Sequence, residues 1–440
     1  MKNKTLAAMA AAVIMTSAVF LNGCGNIVNA GSTGTEMTEN TETRTAVTED
    51  NTAAAADAEQ TAETTADTDS AEAAENTADT DSADENEQFT ARDLAQTADL
   101  SEASYITVSD GETVNITEEG VYVVSGSAKN ASVVIKTAEE AKVQLVLDGV
   151  SIVNTDQPCI LVESADKVFV TSAEGSENVL TVSQDFSGDE DAVIFSQDDL
   201  VLNGLGTVTV TSQGDGIRTN DDLKLTGGTW IVDAADTALK AHNGIYACDG
   251  VYELTAGNDG LHAEDNDDDT VGDIVIEGGT FTVKVGDDGV HATTAATVNG
   301  GTLTITAGEG IEATQVIIND GSVNINASDD GINAGRKSTA LDVKVEINGG
   351  TVTVAMGSGD TDAIDSNGDL LITGGTIDIT GQSPFDCDGS CQHTGGTIIV
   401  NGTQTDDITN QMMGGQHGGK MGRQMGEFGK KPVSPAEENN

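Results

Sequence analysis

Aromatic residues make up only 3% of the 440-residue chain and there is a single Trp, so a core assembled around large rings is excluded. Proline occurs four times against 51 glycines, which argues against collagen-like or Pro-rich filaments and for many tight turns between short strands. Bases are scarce too. Nineteen Lys and Arg face 74 Asp and Glu, giving a formal net charge of −55. Such a surface repels the phosphates of nucleic acid and anionic lipid, so nucleic acid is excluded and a direct electrostatic partner is a cation. No P-loop, Gly-x-Ser-x-Gly or His-Glu-x-x-His motif occurs, which leaves nucleotide and hydrolase chemistry unsupported.

What is present divides the chain. Residues 1–23 read as a secretion signal: Lys2 and Lys4, a largely apolar stretch from Leu6 to Leu21, then Asn22-Gly23-Cys24. The run is too short to span a membrane, and its ending resembles a lipoprotein box in which Cys24 is lipidated and becomes the first mature residue. The expected address is therefore the outer face of a bacterial membrane, with lipid as the only membrane contact. Residues 24–95 are rich in Thr, Ala, Glu and Asp without aliphatic periodicity, and read as a disordered acidic tether. Residues 96–405 form the folded domain, expected as a monomer, and 406–440 a flexible Gly/Met-rich tail.

Within the domain, short apolar/polar alternations such as Val143-Gln144-Leu145-Val146-Leu147 indicate strands. Two phrases then recur in strict order. An Asp-Gly-Ile-like phrase begins at Asp191, Asp215, Thr237, Asp259, Asp288, Glu309, Asp330 and Asp362, and a Gly-Gly-Thr phrase at Gly227, Gly278, Gly300, Gly349, Gly374 and Gly395, with variants at Asp249 and Asp320. The unit is about 22 residues with insertions, room for three short strands, and one unit cannot bury its own apolar face. The spacing predicts an all-β single-stranded parallel β-helix. Trp230, Tyr252, Phe281, Leu303, Val323, Val352, Ile377 and Ile398 form one inward column, so the Trp is a core residue and not a sugar platform.

Stacking also lines up polar chemistry. Asp215, Asp259, Asp288 and Asp330 fall in one column, and Asp236, Asp287 and Asp329 precede its members. Carboxylates about 4.8 Å apart repel, and a hard, oxygen-seeking Ca²⁺ relieves that conflict. Turn preference for Asp-Gly is the competing explanation. Asp265, Asp267 and Asp269 in an insertion form a second candidate Ca²⁺ cluster, although Thr270 and Ile276 break the EF-hand pattern. Three residues after the acids runs a second row, Arg218, Lys240, His262, His291, Glu312, Asn333 and Asp365, whose basic members are suited to a sugar carboxylate or to local charge balance. Cys387 and Cys391 are spaced to close a small disulfide, while Cys159 and Cys248 find no partner in the coil spacing.

The phrases Asn258-Asp259-Gly260-Leu261-His262-Ala263, Glu277-Gly278-Gly279-Thr280, Glu309-Gly310-Ile311-Glu312-Ala313 and Asp329-Asp330-Gly331-Ile332-Asn333-Ala334 resemble a family of clostridial cell-surface carbohydrate-binding proteins. The resemblance implies a right-handed, pectate-lyase-like parallel β-helix with bound Ca²⁺. It also implies binding of plant polysaccharides such as polygalacturonate and cellulose, without demonstrated cleavage. The expected function is thus a surface-anchored, Ca²⁺-dependent binder of acidic polysaccharide. Two alternatives stay open: a polysaccharide lyase with Arg218 or Lys240 as base, and a structural spacer or adhesin without a sugar site.

Overall fold

The computed structural model describes residues 88–408, apart from 156, 184–189 and 359–360. Cys24, the proposed tether before residue 88 and the tail beyond 408 lie outside the described residues; the last residues of the expected tether are described and pack on the coils, where Asp93 is fully buried against Lys167 and Lys224. The described residues contain 34 strands and no helix. From Ile160 onward the pairings show how the chain winds. Ala192–Ser196 pairs Asp215–Thr219, which pairs Leu239–Ala241, then Leu261–Ala263, all in parallel. Asp199–Gly204 pairs Asp222–Leu225, then Gly244–Ala247. Thr207–Ser212 pairs Thr229–Ala234, then Val251–Ala256. Each of these strands bonds the strand three further on, and in the coils where Asp288–Val298 and Glu309–Ile318 each run through two faces the step is two; the chain forms stacked coils with three faces, a parallel β-solenoid.

The spacing from one coil to the next varies. On the third face Trp230 opposes Tyr252, Tyr252 opposes Phe281, Phe281 opposes Leu303 and Leu303 opposes Val323, steps of 22, 29, 22 and 20 residues. The longer steps accommodate insertions. The final parallel strand, Thr397–Val400, is covered by the antiparallel Thr403–Thr405, which pairs its otherwise open edge.

The inward column is continuous. Trp230, Tyr252, Phe281, Leu303, Val323, Val352, Ile377 and Ile398 are all at most 1% exposed. Tyr252 stacks on Phe281 with ring centroids 4.7 Å apart, and Trp230 Nε1 donates to the Gly227 carbonyl at 3.0 Å. Both recurring phrases have steric causes. A Cβ on Gly278 would lie 2.3 Å from the Cys248 carbonyl oxygen in the coil below, and Gly279 has φ +95°. The first Gly thus permits close coil approach and the second turns the chain. In the Asp-Gly phrase, a Cβ on Gly289 would lie 2.3 Å from Ile305 Cγ2 and 2.6 Å from the Gly310 carbonyl oxygen. Gly289→Ala is accordingly expected to cost about 1–3 kcal/mol through overpacking, read as a lower urea midpoint. An unchanged midpoint would mean that the coils yield at this contact.

Cys387 and Cys391 are disulfide-bonded. Cys159 and Cys248 are buried thiols outside any disulfide, and burial pushes Cys159 up to about 12, which makes it a packing residue and not a nucleophile.

Candidate functional site

The acid column and the basic row lie on the first face. Pairing sets Asp215 opposite Thr237, Asp259 opposite Asp288 and Asp288 opposite Glu309. Asp215, Asp259 and Asp288 are 0%, 3% and 4% exposed. Their first task is structural: Asp215 Oδ1 accepts the Thr237 N–H at 3.1 Å, Asp259 Oδ1 accepts that of Asp288 at 3.0 Å, and Asp330 Oδ1 accepts that of Asp362 at 2.9 Å. Each acid thereby fastens its coil to the next one.

Their second task is to hold a base. His262 Nδ1 lies 2.7 Å from Asp259 Oδ2 and His291 Nδ1 2.6 Å from Asp288 Oδ2, each in its own coil. The longer side chains reach back one coil: Arg218 Nη1 is 2.8 Å from Asp191 Oδ1 and Lys240 Nζ 3.7 Å from Asp215 Oδ2. The two imidazoles stack with centroids 4.5 Å apart and planes 5° from parallel. The alignment needs one correction. Ile217 opposes Ile194, so Arg218 opposes Phe195, and Asp191 sits one register position earlier than the repeated phrase implies. The Arg218 guanidinium lies 5.6 Å over the Phe195 ring and 3.5 Å from His242 Nε2.

Later members of the same row, with Lys337 from outside it, complete the cluster. Glu312, opposite His291, places Oε2 3.2 Å from its Nδ1, and Lys337 Nζ is 2.6 Å from the same Oε2. Asn333 Nδ2 donates to Glu309 at 2.9 Å. Lys337 belongs to an insertion that is tied to the acidic insertion through Asp269 Oδ2, which accepts from the Thr339 N–H at 2.8 Å and its hydroxyl at 2.7 Å. Asp265 Oδ1 accepts the Asp267 N–H at 2.9 Å. The acidic loop therefore bonds mainly to backbone and hydroxyl groups.

These contacts bear on Ca²⁺. The oxygens of Asp259 and the Oδ2 of Asp288 are already engaged by backbone and imidazole donors, so these two buried acids fit an oxygen-seeking cation poorly. The outer tier differs. Asp236 and Asp287 are exposed, with Asn258 in the coil between them: the Asn258 N–H donates to the Asp236 carbonyl, and the Asp287 N–H to that of Asn258, both at 3.0 Å. This line of oxygen-bearing side chains at coil spacing fits a hard cation in donor type, and Asp329 stands exposed further along the same edge.

Charge and burial also move the titrations. Burial pushes Asp215 up to about 6 against the pull of Lys240. Burial, with Asp199 and Asp221 close by, pushes Asp222 on the second face up to about 7, and Glu309 rises to about 7, chiefly by burial. Burial opposes charge on His291, but the hydrogen bonds it donates to Asp288 and Glu312 outweigh it and hold the imidazolium up to about 9. Despite its burial, Glu312 is held down to about 2 by His291 and Lys337. A carboxylate raised on folding contributes stability below its unfolded pKa near 4 that is lost as pH rises through its folded value. His291 loses its contribution between its ordinary value near 6.5 and about 9, which adds to the fall, and Glu312 loses its own only below its ordinary value near 4.5. In metal-free buffer the melting temperature is therefore expected to fall from pH 5 to pH 8. A rise over that interval would contradict these assignments.

A parallel β-solenoid carrying a buried acid column beneath a row of bases defines the class of protein. Residues 110–363, more than half of the chain, match the family described as carbohydrate-binding domain-containing protein. A protein of that description from Acetivibrio thermocellus is 33% identical over 210 residues, which are 46% of this chain and 73% of the relative. The solved structure of a polysaccharide lyase-like protein from C. thermocellum, a gadolinium derivative, shares 30% identity, covers 50% of this chain and 96% of its own, and superposes with a TM-score of 0.45. The chain belongs to the carbohydrate-binding domain family.

Proposed function

We propose that this protein binds acidic polysaccharide such as polygalacturonate in a Ca²⁺-dependent, non-catalytic manner. In the same reading it is a monomer, lipid-anchored through Cys24 at the outer face of a bacterial membrane, and its coils wind right-handed around a repeat of about 22 residues. Family membership supports a glycan as partner. The observation that carries the acidic class is the row Arg218, Lys240, His262 and His291, four bases on successive coils of one face of a chain that has 19 Lys and Arg in all.

Arg218 and Lys240 are the residues for the sugar carboxylate. Asp191 and Asp215 fix their positions without burying them, since the side chains keep 19% and 25% exposure. Placed this way they lose little conformational freedom when a planar carboxylate arrives. His262 adds a polar edge beside them, oriented by Asp259. Ca²⁺ held by the outer tier of Asp236, Asn258 and Asp287 would supply positive charge between an acidic protein and an acidic glycan.

Replacing Arg218 and Lys240 together with Gln is expected to weaken retention on polygalacturonate by about tenfold or more, the equivalent of one or two charge-assisted hydrogen bonds. Affinity electrophoresis at matched thermal stability is the check, and unchanged retention would move the sugar site off this row. Ultraviolet absorbance from an unsaturated product would replace binding with lyase chemistry.

A further inference from the structure

We infer that Asp288, His291 and Glu312 form a site for a borderline divalent transition-metal ion such as Zn²⁺, distinct in chemistry from the oxygen-only Ca²⁺ tier. The inference does not depend on the glycan reading, although it takes His291 from the row of bases.

The geometry is nearly that of a ligand set. One donor atom from each residue lies within 4.8 Å of the other two. Two of the separations are short: His291 Nδ1 is 2.6 Å from Asp288 Oδ2 and 3.2 Å from Glu312 Oε2. An ion with tetrahedral bonds of about 2.0–2.1 Å needs ligand atoms about 3.3 Å apart, so small side-chain rotations suffice. Ca²⁺ instead takes six to eight oxygens at about 2.3–2.6 Å, which suits a three-donor site containing nitrogen poorly.

The donors are also held in place. Asp288 and His291 lie on one strand and Glu312 on the strand paired with it, where Asp288 opposes Glu309 and His291 opposes Glu312. The Asp288 side chain is only 6% exposed. The plane of the His291 ring is fixed by His262 stacked upon it. A metal would replace the proton that His291 now shares between the two carboxylates, leaving the imidazole as a neutral donor.

One residue opposes the ion. The Lys337 ammonium, 2.6 Å from Glu312 Oε2, competes for the same oxygen and carries like charge. It sits on an insertion outside the repeated core phrases, so its removal leaves the ladder intact. Metal affinity should therefore rise when Lys337 is shortened, the reverse of what a merely stabilising lysine would give.

The test is calorimetric titration of the full chain with Zn²⁺ in excess Ca²⁺, together with the visible absorption of bound Co²⁺. The expected result is one Zn²⁺ site that Ca²⁺ does not displace. His291→Ala should abolish it, Glu312→Gln should weaken it by about tenfold or more, and Lys337→Met should tighten it by about tenfold. If His291→Ala fails to fold, the near-isosteric Glu312→Gln decides alone. Absence of Zn²⁺ binding, full displacement by Ca²⁺, affinity unchanged by Glu312→Gln, or weaker binding by Lys337→Met would each overturn the assignment.

Discussion

Trp230→Ala is expected to lower the unfolding free energy by about 3–5 kcal/mol, the cost of a large cavity in a core that relaxes only partly. Trp230 is fully buried between Val208 and Tyr252 in the inward column. Its Nε1 donates to the Gly227 carbonyl, so the substitution also strips a partner from the Gly-Gly turn. Because the ring faces the core and Arg218 lies on another face, glycan retention by the folded variant should match the parent. Urea unfolding followed by affinity electrophoresis separates the two effects. A stable variant that loses the glycan would make Trp230 a binding residue and reverse the inward and outward phase.

A comparable loss is expected from Asp93→Ala. Asp93 is fully buried against the second face, with Lys167 Nζ 3.5 Å from Oδ1 and Lys224 Nζ 3.3 Å from Oδ2. Thr226 donates its hydroxyl to the Asp93 carbonyl, and Gln96 holds the same strap by accepting the Gly204 N–H at 3.0 Å and donating to the Thr226 carbonyl at 2.8 Å. Removing the carboxylate leaves two ammonium groups, each with 11% side-chain exposure, short of their shared counter-charge. Breaking such a buried cluster from one side costs about 3–5 kcal/mol. The checks are the urea midpoint and faster proteolysis within residues 92–97. A shift under about 1 kcal/mol would mean that Asp199, 3.5 Å from Lys167, takes over.

Much of this architecture is legible in the sequence, and the exceptions have physical causes. The inward column of the third face could be read because its strands alternate, as in Thr302–Ala307, with exposed and buried residues in strict succession. The register at Asp191 could not, because Ala192–Ser196 is buried at every position and offers no alternation to fix the phase. The basic row followed from the Asp-Gly phrase, whereas its pairing with acids in two different patterns depends on side-chain length, which spacing alone does not report. Lys337 and Asp93 lie outside the repeat and reach the coils only through tertiary contact. The second-face column of Asp199, Asp222 and Asp273 was missed because neither recurring phrase runs through that face.

The acid column itself shows the limit of counting charges. Seven carboxylates at coil spacing imply mutual repulsion and a need for metal. In the fold, several of them accept a backbone N–H from the next coil, and bases stand over others. Stability of the buried tier therefore has an internal source, and any cation requirement shifts to the exposed carboxylates at Asp236, Asp287 and Asp329.

The most direct test of acidic-glycan binding is retention on polygalacturonate with Ca²⁺ present and after chelation, at a temperature where circular dichroism shows the fold intact. Retention in Ca²⁺ that vanishes on chelation and returns on readdition is the predicted result. Equal retention in both conditions, or none in either, would contradict the account.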